Sequence, residues 1–464
     1  MENFWDFSVW GDFHLIAMLL LSLLAANALK RAVPALQASL IPTSVLGGAI
    51  LLAASGFYKL VTGNVMFDEP FFAGHGMALL ETLTYHTLAL GFIASTLKTS
   101  DEKLTKQRSV EIFNTGVTTV STYLLQAVLG FAITMAAAKM VSGFFPAAGV
   151  LLPFGYGQGP GQAMNYGGIY ELEYGFEGGK SFGLTIAALG FISAALGGVI
   201  HLNILKRKRK IVIGSGEDLA YDAEEIQLAN EIPMQGSMDK LTVQVALVFV
   251  AYLMAHGLMY LLGLLLPGMK SVVYGFNFLL GVLTATLVKV TLNLLQSKGV
   301  MKRRYTNNFL MTRVSNFFFD IMVVSSIAAI RLGILEKYWG IILVLGVVGL
   351  GFTYIYNYYV AKKLFPAYQE EQFLTMYGML TGTASTGIAL LRELDGRFET
   401  PAADNLVYQN FPAIVFGFPM MLLATLAPQK PALTMVILIL FFLVMNVILF
   451  RSFVFRRRKT PAVK

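Results

Sequence analysis

Two glycine-rich stretches interrupt an otherwise apolar chain, and their residue types are those of a binding site. The first stretch, here called the first tip, runs from Gly155 to Gly168 and carries amide side chains between its glycines. Glycine and proline do not sustain a regular helix at such positions. At membrane depth, irregular backbone must be buried in protein or face a watery cavity, because lipid offers no partner to N–H and C=O groups. Such a break indicates a binding site.

The second stretch, the second tip, runs from Gly378 to Gly387 and carries hydroxyl side chains instead of amides. Similar residues follow both tips: Glu171 begins a Glu-Leu-Glu-Tyr-Gly-Phe run, and Glu393 begins a Glu-Leu-Asp-Gly-Arg-Phe run. Aligning these two glutamates offsets the chain by close to half of its 464 residues. The sequence therefore predicts two related halves, each with one broken segment.

The elements around the tips are apolar. Hydrophobic residues make up 56% of the chain, charged residues 13%, and the mean hydropathy is +0.65, whereas soluble domains contain roughly 45–50% apolar residues. We therefore expect a polytopic protein in the lipid bilayer. The net charge of +8 comes from short basic clusters at the ends of apolar runs. That distribution is typical of membrane loops and does not indicate nucleic-acid binding.

Further classes are excluded by missing residue types and motifs. The chain contains no cysteine, which excludes disulfides, thiolate catalysis and cysteine-based metal sites. Acidic Glu2, Asp6 and Asp12 precede the first apolar run, where a signal peptide would be basic, so this run is expected to remain as a helix. The sequence has no zinc-protease, dinucleotide or phosphate-loop motif. We expect no enzymatic activity and no cofactor.

The apolar runs predict the membrane spans, since a helix needs about 20 apolar residues to cross the hydrocarbon core. The first half has predicted spans at 13–29, 43–61, 82–97, 112–140 and 181–205. After a charged cytoplasmic linker at 206–240, the second half has predicted spans at 241–266, 272–295, 314–330, 339–360 and 403–426. A last span is predicted at 433–450. Hairpins are predicted at 147–168 and 373–391, each between the fourth and fifth span of its half.

The basic residues predict the orientation of these spans, because Lys and Arg collect on the cytoplasmic side. With the N-terminus outside, the basic clusters from Lys30 and Arg31 to the tail at 456–459 all lie in the cytoplasm. Five spans per half then invert the second half relative to the first. The predicted fold is an all-α polytopic membrane protein with two inverted five-helix repeats, 1–205 and 241–426. Each repeat carries a re-entrant glycine-rich hairpin, and 427–464 adds a transmembrane helix and a basic cytoplasmic tail.

With these features, the sequence resembles the bacterial sodium:glutamate symporters. The resemblance rests on the two tips, on the Glu-x-x-Tyr-Gly-Phe motif ending at Phe176, and on Gly197-Gly198 in the next span. It covers residues 13 to about 426. It implies Na⁺-coupled symport of L-glutamate or a similar anionic amino acid across the bacterial plasma membrane. It also implies a homodimer with an elevator-like movement of the hairpin-bearing domain.

Two features depart from that family. Its first tip typically contains Gly-Gly-His-Gly, whereas Tyr156, Gln158, Pro160 and Gln162 fill the spaces between the glycines here. The span at 433–450 also lies outside the ten-span pattern. A Na⁺-coupled 2-hydroxycarboxylate or dicarboxylate transporter, or an exporter of related fold, is the alternative function. An ion channel is a further alternative, and a membrane enzyme is the least favoured because no nucleophile–base pair is evident.

A symporter for an anionic amino acid needs two kinds of ligand. Half-helix N-termini supply N–H donors for carboxylates, and unwound carbonyls with hydroxyls or amides supply oxygens for Na⁺. The substrate-binding candidates are Gly157, Gln158, Gly159, Gly161, Gln162, Asn165, Thr381, Gly382, Thr383, Ser385, Thr386 and Arg392. The Na⁺ candidates are Asn316, Asp320, Thr383, Ser385 and Asn410. In the alternative interpretation, the tip side chains only satisfy the broken backbone, and Arg392 is a cytoplasm-facing anchor.

Asp320 stands out because it lies inside a predicted span. An ionisable group there costs at least ~2.5 kcal/mol on insertion scales and indicates a functional position. The spacing of Arg313, Asn316 and Asp320 places them on one helical face. Asp320 could bind Na⁺ together with Asn316, or it could pair with Arg313 or Lys289.

Asn410 stands two residues before Pro412 in the span after the second tip. Proline has no N–H and frees a backbone carbonyl one turn earlier, so the neighbouring amide could complete an ion site. A simple kink, satisfied by neighbouring helices, explains the same residues.

Overall fold

The computed structural model describes residues 3–99, 105–209, 230–234, 237–336, 338–396 and 398–454. These residues are almost entirely helical and contain no β-strand. Most of the predicted linker at 206–240 and the basic tail at 456–459 lie outside the described residues.

Six main helices form the first half of the chain. Helices α1 to α6 comprise Phe7–Ala32, Thr43–Thr62, Gly76–Thr96, Lys106–Met140, Pro160–Tyr174 and Gly179–Arg209. Between α4 and α5 the backbone is irregular, with a 3₁₀ turn at Pro146–Val150 and a π turn at Phe154–Gln158. Gly159 has a φ of +91°, which favours glycine. Pro160 follows as the first residue of α5, where its missing N–H has no intrahelical partner to lose.

Nine main helices form the second half. Helices α7 to α15 comprise Lys240–Leu265, Asn277–Ser297, Asn308–Ala328, Trp339–Leu364, Gln369–Thr381, Ala384–Arg392, Ala402–Tyr408, Asn410–Leu426 and Pro431–Leu449. The chain breaks between α11 and α12 at Gly382 and Thr383, inside the second tip.

Two predicted spans are broken in the structure. The predicted helix at 272–295 divides into a short helix, Lys270–Gly275, and α8. The predicted helix at 403–426 divides into α13 and α14, which meet at an angle of 50°. Pro412 lies in the first turn of α14, where it cannot donate the N–H that would continue α13. The kink expected at this proline is therefore a helix boundary.

The prediction of an all-α chain with many membrane-length helices is confirmed. Ten described helices are long and apolar enough to cross a membrane, or eleven if the bent pair α13 and α14 counts as one span.

The helices pack into two groups. In the first, here called the flank group, α9 packs against α2 and α3, α1 against α2, and α8 against α3 and α7. The second, the hairpin group, is centred on α4, which packs against α10, α14, α15 and the 3₁₀ turn before the first tip. Helix α6 packs against α5, α10 and α11 in the same group. Helix α15 therefore belongs to the hairpin group.

Two tyrosines tie the tips to helices of the opposite halves. The hydroxyl of Tyr156 in the first tip donates to the carbonyl of Gly346 on α10 at 2.8 Å. The hydroxyl of Tyr377 on α11 donates to the carbonyl of Ser193 on α6 at 2.8 Å. A Cβ at Gly197 would lie 2.2 Å from the Tyr377 hydroxyl, so this glycine allows the close approach. Each hairpin is thus packed on a helix from the other half.

Candidate functional site

The two tips meet at a cavity of about 150 Å³ between the flank group and the hairpin group. We call it the tip cavity. The flank group contributes Leu88, Phe92, Ser95, Phe278, Leu279, Phe319 and Met322 from α3, α8 and α9. The hairpin group contributes Tyr123, Gly157, Gln158, Met379, Gly382, Thr383, Ala384, Ser385, Gln409, Asn410, Ala413, Ile414, Gly417, Phe418 and Met421.

The first tip reaches the cavity through Gly157 and Gln158. The hydroxyl of Tyr123 on α4 donates to the Gly157 carbonyl at 2.9 Å. A Cβ on Gly157 would lie 2.1 Å from the Tyr123 ring, so only glycine fits against this ring. The Oε1 of Gln158 is buried and accepts no hydrogen bond from any residue that the structure describes. Gln158 therefore lies at the cavity wall with an amide oxygen that has no partner among the described residues.

The second tip reaches the cavity through the start of α12. The Oγ1 of Thr383 caps this helix by accepting from the N–H of Thr386 at 3.4 Å. The two threonine hydroxyls are 3.2 Å apart. Ala384 and Ser385, the first two residues of α12, are exposed. The N-terminal end of this helix, with its positive partial charge, therefore faces the cavity.

A third helix start closes the cavity. Asn410, the first residue of α14, lies beside Gln409, and the Gln409 Nε2 donates to the Asn410 Oδ1 at 3.0 Å. The Gln409 Oε1 accepts from the Thr119 hydroxyl at 2.9 Å. These bonds fix both amides at the cavity wall.

The charge of the cavity comes from the backbone. Among its described lining residues there is no Asp, Glu, Lys, Arg or His. Helices α12 and α14 begin at its wall, and α5 begins two residues after Gln158. Helix N-termini attract anions through free N–H groups and the aligned peptide dipoles. The cavity can therefore hold an anionic group without a cationic side chain, next to a large apolar surface.

Several predicted residues lie behind the cavity wall. The amide Oε1 of Gln162, which is fully buried, accepts from Asn165 Nδ2 at 2.9 Å. Gly161 packs against Leu88, and its Cβ would lie 2.8 Å from that side chain. The Thr381 hydroxyl donates to the Tyr377 carbonyl at 2.6 Å. Gly159, Gly161, Gln162, Asn165, Thr381 and Thr386 support the tips but do not line the cavity.

Arg392 is not brought to the cavity. It is the last residue of α12 and is exposed, and its guanidinium carbon lies 5.7 Å from the centre of the Phe398 ring. Arg392 does not line the tip cavity, because α12 points its N-terminal end at the cavity and its C-terminal end away from it. That Arg392 binds a substrate carboxylate stays a prediction.

Asn316 and Asp320 are also outside the cavity. Together with Arg313 they lie on one exposed face of α9, as their spacing predicts. The Asp320 carboxylate lies beside the Ser44 hydroxyl on α2. Lys289 instead donates to the carbonyl oxygens of Thr96 and Lys98. Of the predicted Na⁺ ligands, the structure brings together Thr383, Ser385 and Asn410 and separates them from Asn316 and Asp320.

No protein-family model matches this chain, and no curated protein matches it. The function is therefore argued from the cavity itself.

Two polar residues of the cavity, Ser95 and Tyr123, were missed by sequence reasoning. Each lies among other hydroxyl residues of its helix, and the sequence gives no sign of which of them faces the cavity. Gln409, beside the predicted Asn410, also lines the cavity.

Proposed function

We propose that this protein is a secondary active transporter whose substrate binds in the tip cavity. The observation that carries the proposal is the meeting of two glycine-rich tips, one from each half of the chain, in one cavity between two helix groups. Secondary transporters typically bind their substrates where broken helices of two repeats meet near the midplane.

The lengths of the hairpin helices support re-entrant hairpins. Helices α5, α11 and α12 contain 15, 13 and 9 residues. At 1.5 Å per residue they extend about 22, 20 and 14 Å, which is less than the roughly 30 Å of the hydrocarbon core. The reciprocal contacts of Tyr156 and Tyr377 with α10 and α6 support two repeats of inverted topology. The basic loops favour an outside N-terminus and a cytoplasmic C-terminus in a bacterial plasma membrane.

The division into two groups supports an elevator-like movement. Each half contributes three helices to the flank group, α1 to α3 and α7 to α9. The groups meet where α3 and α9 pack against α5 and α6, and the tip cavity lies in the same boundary. Displacement of the hairpin group along the flank group would carry the substrate with both tips.

The exposed polar face of α9 supports a homodimer. Asp320 lies near the middle of a membrane-length helix and is exposed in the single chain, as is Asn316. Ionisable residues in membrane spans face protein or water and not lipid. A second copy packed on this face would shield them.

The substrate we propose is L-glutamate or a similar anionic amino acid, taken up together with Na⁺. Helix N-termini and amides at the cavity provide donors for carboxylates, and Gln158, Thr383 and Ser385 provide oxygens. A 2-hydroxycarboxylate or dicarboxylate is the second candidate. It is favoured by one observation: no described lining residue is acidic, so the cavity offers no carboxylate to a substrate ammonium group.

Uptake into proteoliposomes tests both candidates. We expect labelled L-glutamate to accumulate with an inward Na⁺ gradient and not with K⁺ alone, and unlabelled L-malate to compete weakly. Accumulation of malate without glutamate would select the second candidate. Protein that elutes as a folded, monodisperse species but accumulates neither substrate, or that conducts single-channel currents without substrate, contradicts the proposal.

A further inference from the structure

A carboxylate of the flank group is bound by a cation of the hairpin group, on the side of the predicted outer loops. Glu81 lies in the second turn of α3, and its Oε2 accepts from the Nζ of Lys180 on α6 at 2.6 Å. Its Oε1 lies 3.4 Å from the guanidinium of Arg331, which follows α9. Both oxygens of one carboxylate are therefore bound by cations, and one of these cations belongs to the other helix group.

The position of this ion pair makes it stronger than a contact at an open surface. The side chain of Glu81 is 17% exposed and that of Lys180 is 33% exposed. Half-buried charges are screened by salt less than exposed ones, and hydrogen bonds between charged groups are stronger than neutral ones. Lys180 and Arg331 are also among the few basic residues of the predicted outer loops. Two of these few cations therefore converge on one carboxylate.

Lys180 is fixed to the hairpin group by its backbone and by its stem. Its N–H donates to the carboxylate of Glu171 on α5 at 3.2 Å. A Cβ on Gly168 of α5 would lie 3.3 Å from the Lys180 Cε, so the stem of the lysine packs on α5. The ammonium group therefore moves with α5 and α6. Displacement of the hairpin group along α3 must break its contact with Glu81.

Further contacts join the two groups on the same side. The hydroxyl of Ser181 on α6 accepts from the Arg331 N–H at 3.1 Å. The hydroxyl of Ser271, in the short helix before α8, donates to the carboxylate of Glu173 near the end of α5. This short helix packs on α7 of the flank group and on α5. The outer boundary between the groups is thus closed by ion pairs and hydrogen bonds.

The tip cavity lies deeper than these contacts. Leu88, seven residues or about 10 Å after Glu81 on α3, lines the cavity. On the far side of the cavity, α12 packs on α6 and α11 of the hairpin group. Its first two residues, Ala384 and Ser385, are exposed at the cavity. The cavity is therefore bordered by bound charges towards the outside and by the exposed start of α12 towards the cytoplasm of the proposed orientation.

We propose that Glu81, bound by Lys180 and Arg331, is a latch that holds the tip cavity closed towards the outside. Release of this carboxylate frees the hairpin group to move along α3 and to open the cavity on the outer side. The latch rests on the proposed orientation and movement of the helix groups, but it requires no particular substrate. It sets the populations of two arrangements, since destabilising one of them by about 1.4 kcal/mol shifts their ratio tenfold.

Thiol labelling from either side of the membrane tests the latch without transport. The chain contains no cysteine, so Ser385→Cys places a single thiol at the tip cavity. With a charged maleimide that does not cross membranes, we expect this thiol to react quickly in inside-out vesicles and slowly in right-side-out vesicles. Adding Glu81→Gln removes the negative charge at the same volume. The reaction in right-side-out vesicles should then become about tenfold faster.

Glu171→Gln is the matched control. It removes the carboxylate that accepts the Lys180 N–H, but both residues belong to the hairpin group, so the labelling should stay as in Ser385→Cys alone. Lys180→Met keeps the apolar stem and removes the ammonium group, and it should speed the reaction from the outside. It also tests the latch if Glu81→Gln does not fold. With both latch substitutions, the thiol should react as fast as with Glu81→Gln alone, because each removes the same ion pair.

The outcomes separate the latch from the proposed function. An outside reaction that neither Glu81→Gln nor Lys180→Met makes faster overturns the latch, whether or not the protein accumulates glutamate. With Glu81 intact, a thiol that reacts from the outside as fast as from the inside, or faster, overturns it as well. A faster outside reaction in the latch variants alone, in a folded protein that accumulates neither glutamate nor malate, supports the latch and contradicts the proposed uptake.

Discussion

The first and the second tip line the same cavity, but they are held in different ways. Aromatic side chains clamp the first tip: Tyr123 binds the Gly157 carbonyl, and the Tyr156 hydroxyl binds the Gly346 carbonyl. The second tip is held by its own helix start, where Thr383 caps α12 and Ser385 is exposed. The first tip is therefore fixed by surrounding rings, and the second by local hydrogen bonds.

The two tips therefore present different groups to the cavity. The first tip presents a side-chain acceptor, the Gln158 Oε1, on a backbone that cannot move without displacing a ring. The second presents the positive end of α12 and the Ser385 hydroxyl on a backbone that opens to the cavity. We expect substitutions that add volume to be most harmful at the first tip, and substitutions that remove hydrogen bonds to act at the second.

The largest effect is expected from added volume at the first tip. In Gly157→Ala, the new Cβ would lie 2.1 Å from the Tyr123 ring, which is held by its own hydrogen bond. The tip must shift by close to 1 Å, and displacements of that size reduce rates by about 100-fold when they misplace a binding group. The initial rate of uptake into proteoliposomes, normalised to the amount of inserted protein, measures the effect.

Two further glycine-to-alanine variants compare the first tip with the second tip and with α10. In Gly382→Ala at the second tip, the nearest atom to the Cβ would be the Thr386 hydroxyl at 3.0 Å, so we expect a smaller loss than in Gly157→Ala. Gly351→Ala on α10 meets nothing within 4 Å and should leave uptake unchanged. The loss of uptake should be largest in Gly157→Ala, smaller in Gly382→Ala and absent in Gly351→Ala. Any other order would contradict the clamping of the first tip by Tyr123.

The helices of this fold were predictable because membrane spans depend on composition over about 20 residues. The boundaries of the helices were less predictable than the helices themselves. Phe276, which separates the short helix before α8 from α8 itself, is flanked by Gly275 and Asn277, which are weak signals of a break inside an apolar span. The division between α13 and α14 had a signal in Pro412, but its size depends on the packing of α14 against α4. Local sequence predicts where a helix can break, and tertiary packing decides how far it bends.

The candidate site was predictable for the same kind of reason. Broken backbone at membrane depth needs a special environment, so glycine runs indicated both tips and thereby Gln158, Thr383 and Ser385. Sequence could not separate these from Gln162 and Asn165, because the side chains that face the cavity depend on where α5 begins and how it packs.

A smaller effect is expected from the helix cap of the second tip. Thr383→Val removes the hydroxyl that accepts from the Thr386 N–H, and loss of such a cap costs about 1 kcal/mol. If the lost cap destabilises only the substrate-bound state, the substrate Kd rises about fivefold. Thr383→Ser keeps the hydroxyl and should bind as the wild type does. Equal Kd values for the serine and valine variants in calorimetric titrations would show that the cap does not matter for binding.

The smallest effect is expected from pH. It tests whether both tips lack a side chain at the cavity that titrates near neutral pH. Serine, threonine, glutamine and asparagine do not titrate, and Tyr123, the remaining polar side chain at the cavity, belongs to a residue type that ordinarily titrates near pH 10. The side-chain carboxylate of the substrate L-glutamate is also ionised above about pH 6. The Kd of L-glutamate should therefore change by less than about twofold between about pH 6 and pH 8.

A large pH dependence would locate control outside the tips. His201 on α6 is buried, and its Nε2 lies 2.8 Å from the Glu370 carboxylate on α11 while its Nδ1 lies 2.7 Å from the Tyr354 hydroxyl. Helix α11 leads directly from this cluster into the second tip at Gly382. His201→Gln should remove such a pH dependence if this cluster is its source. A pH dependence that persists in this variant would show that it arises outside both the cavity and this cluster.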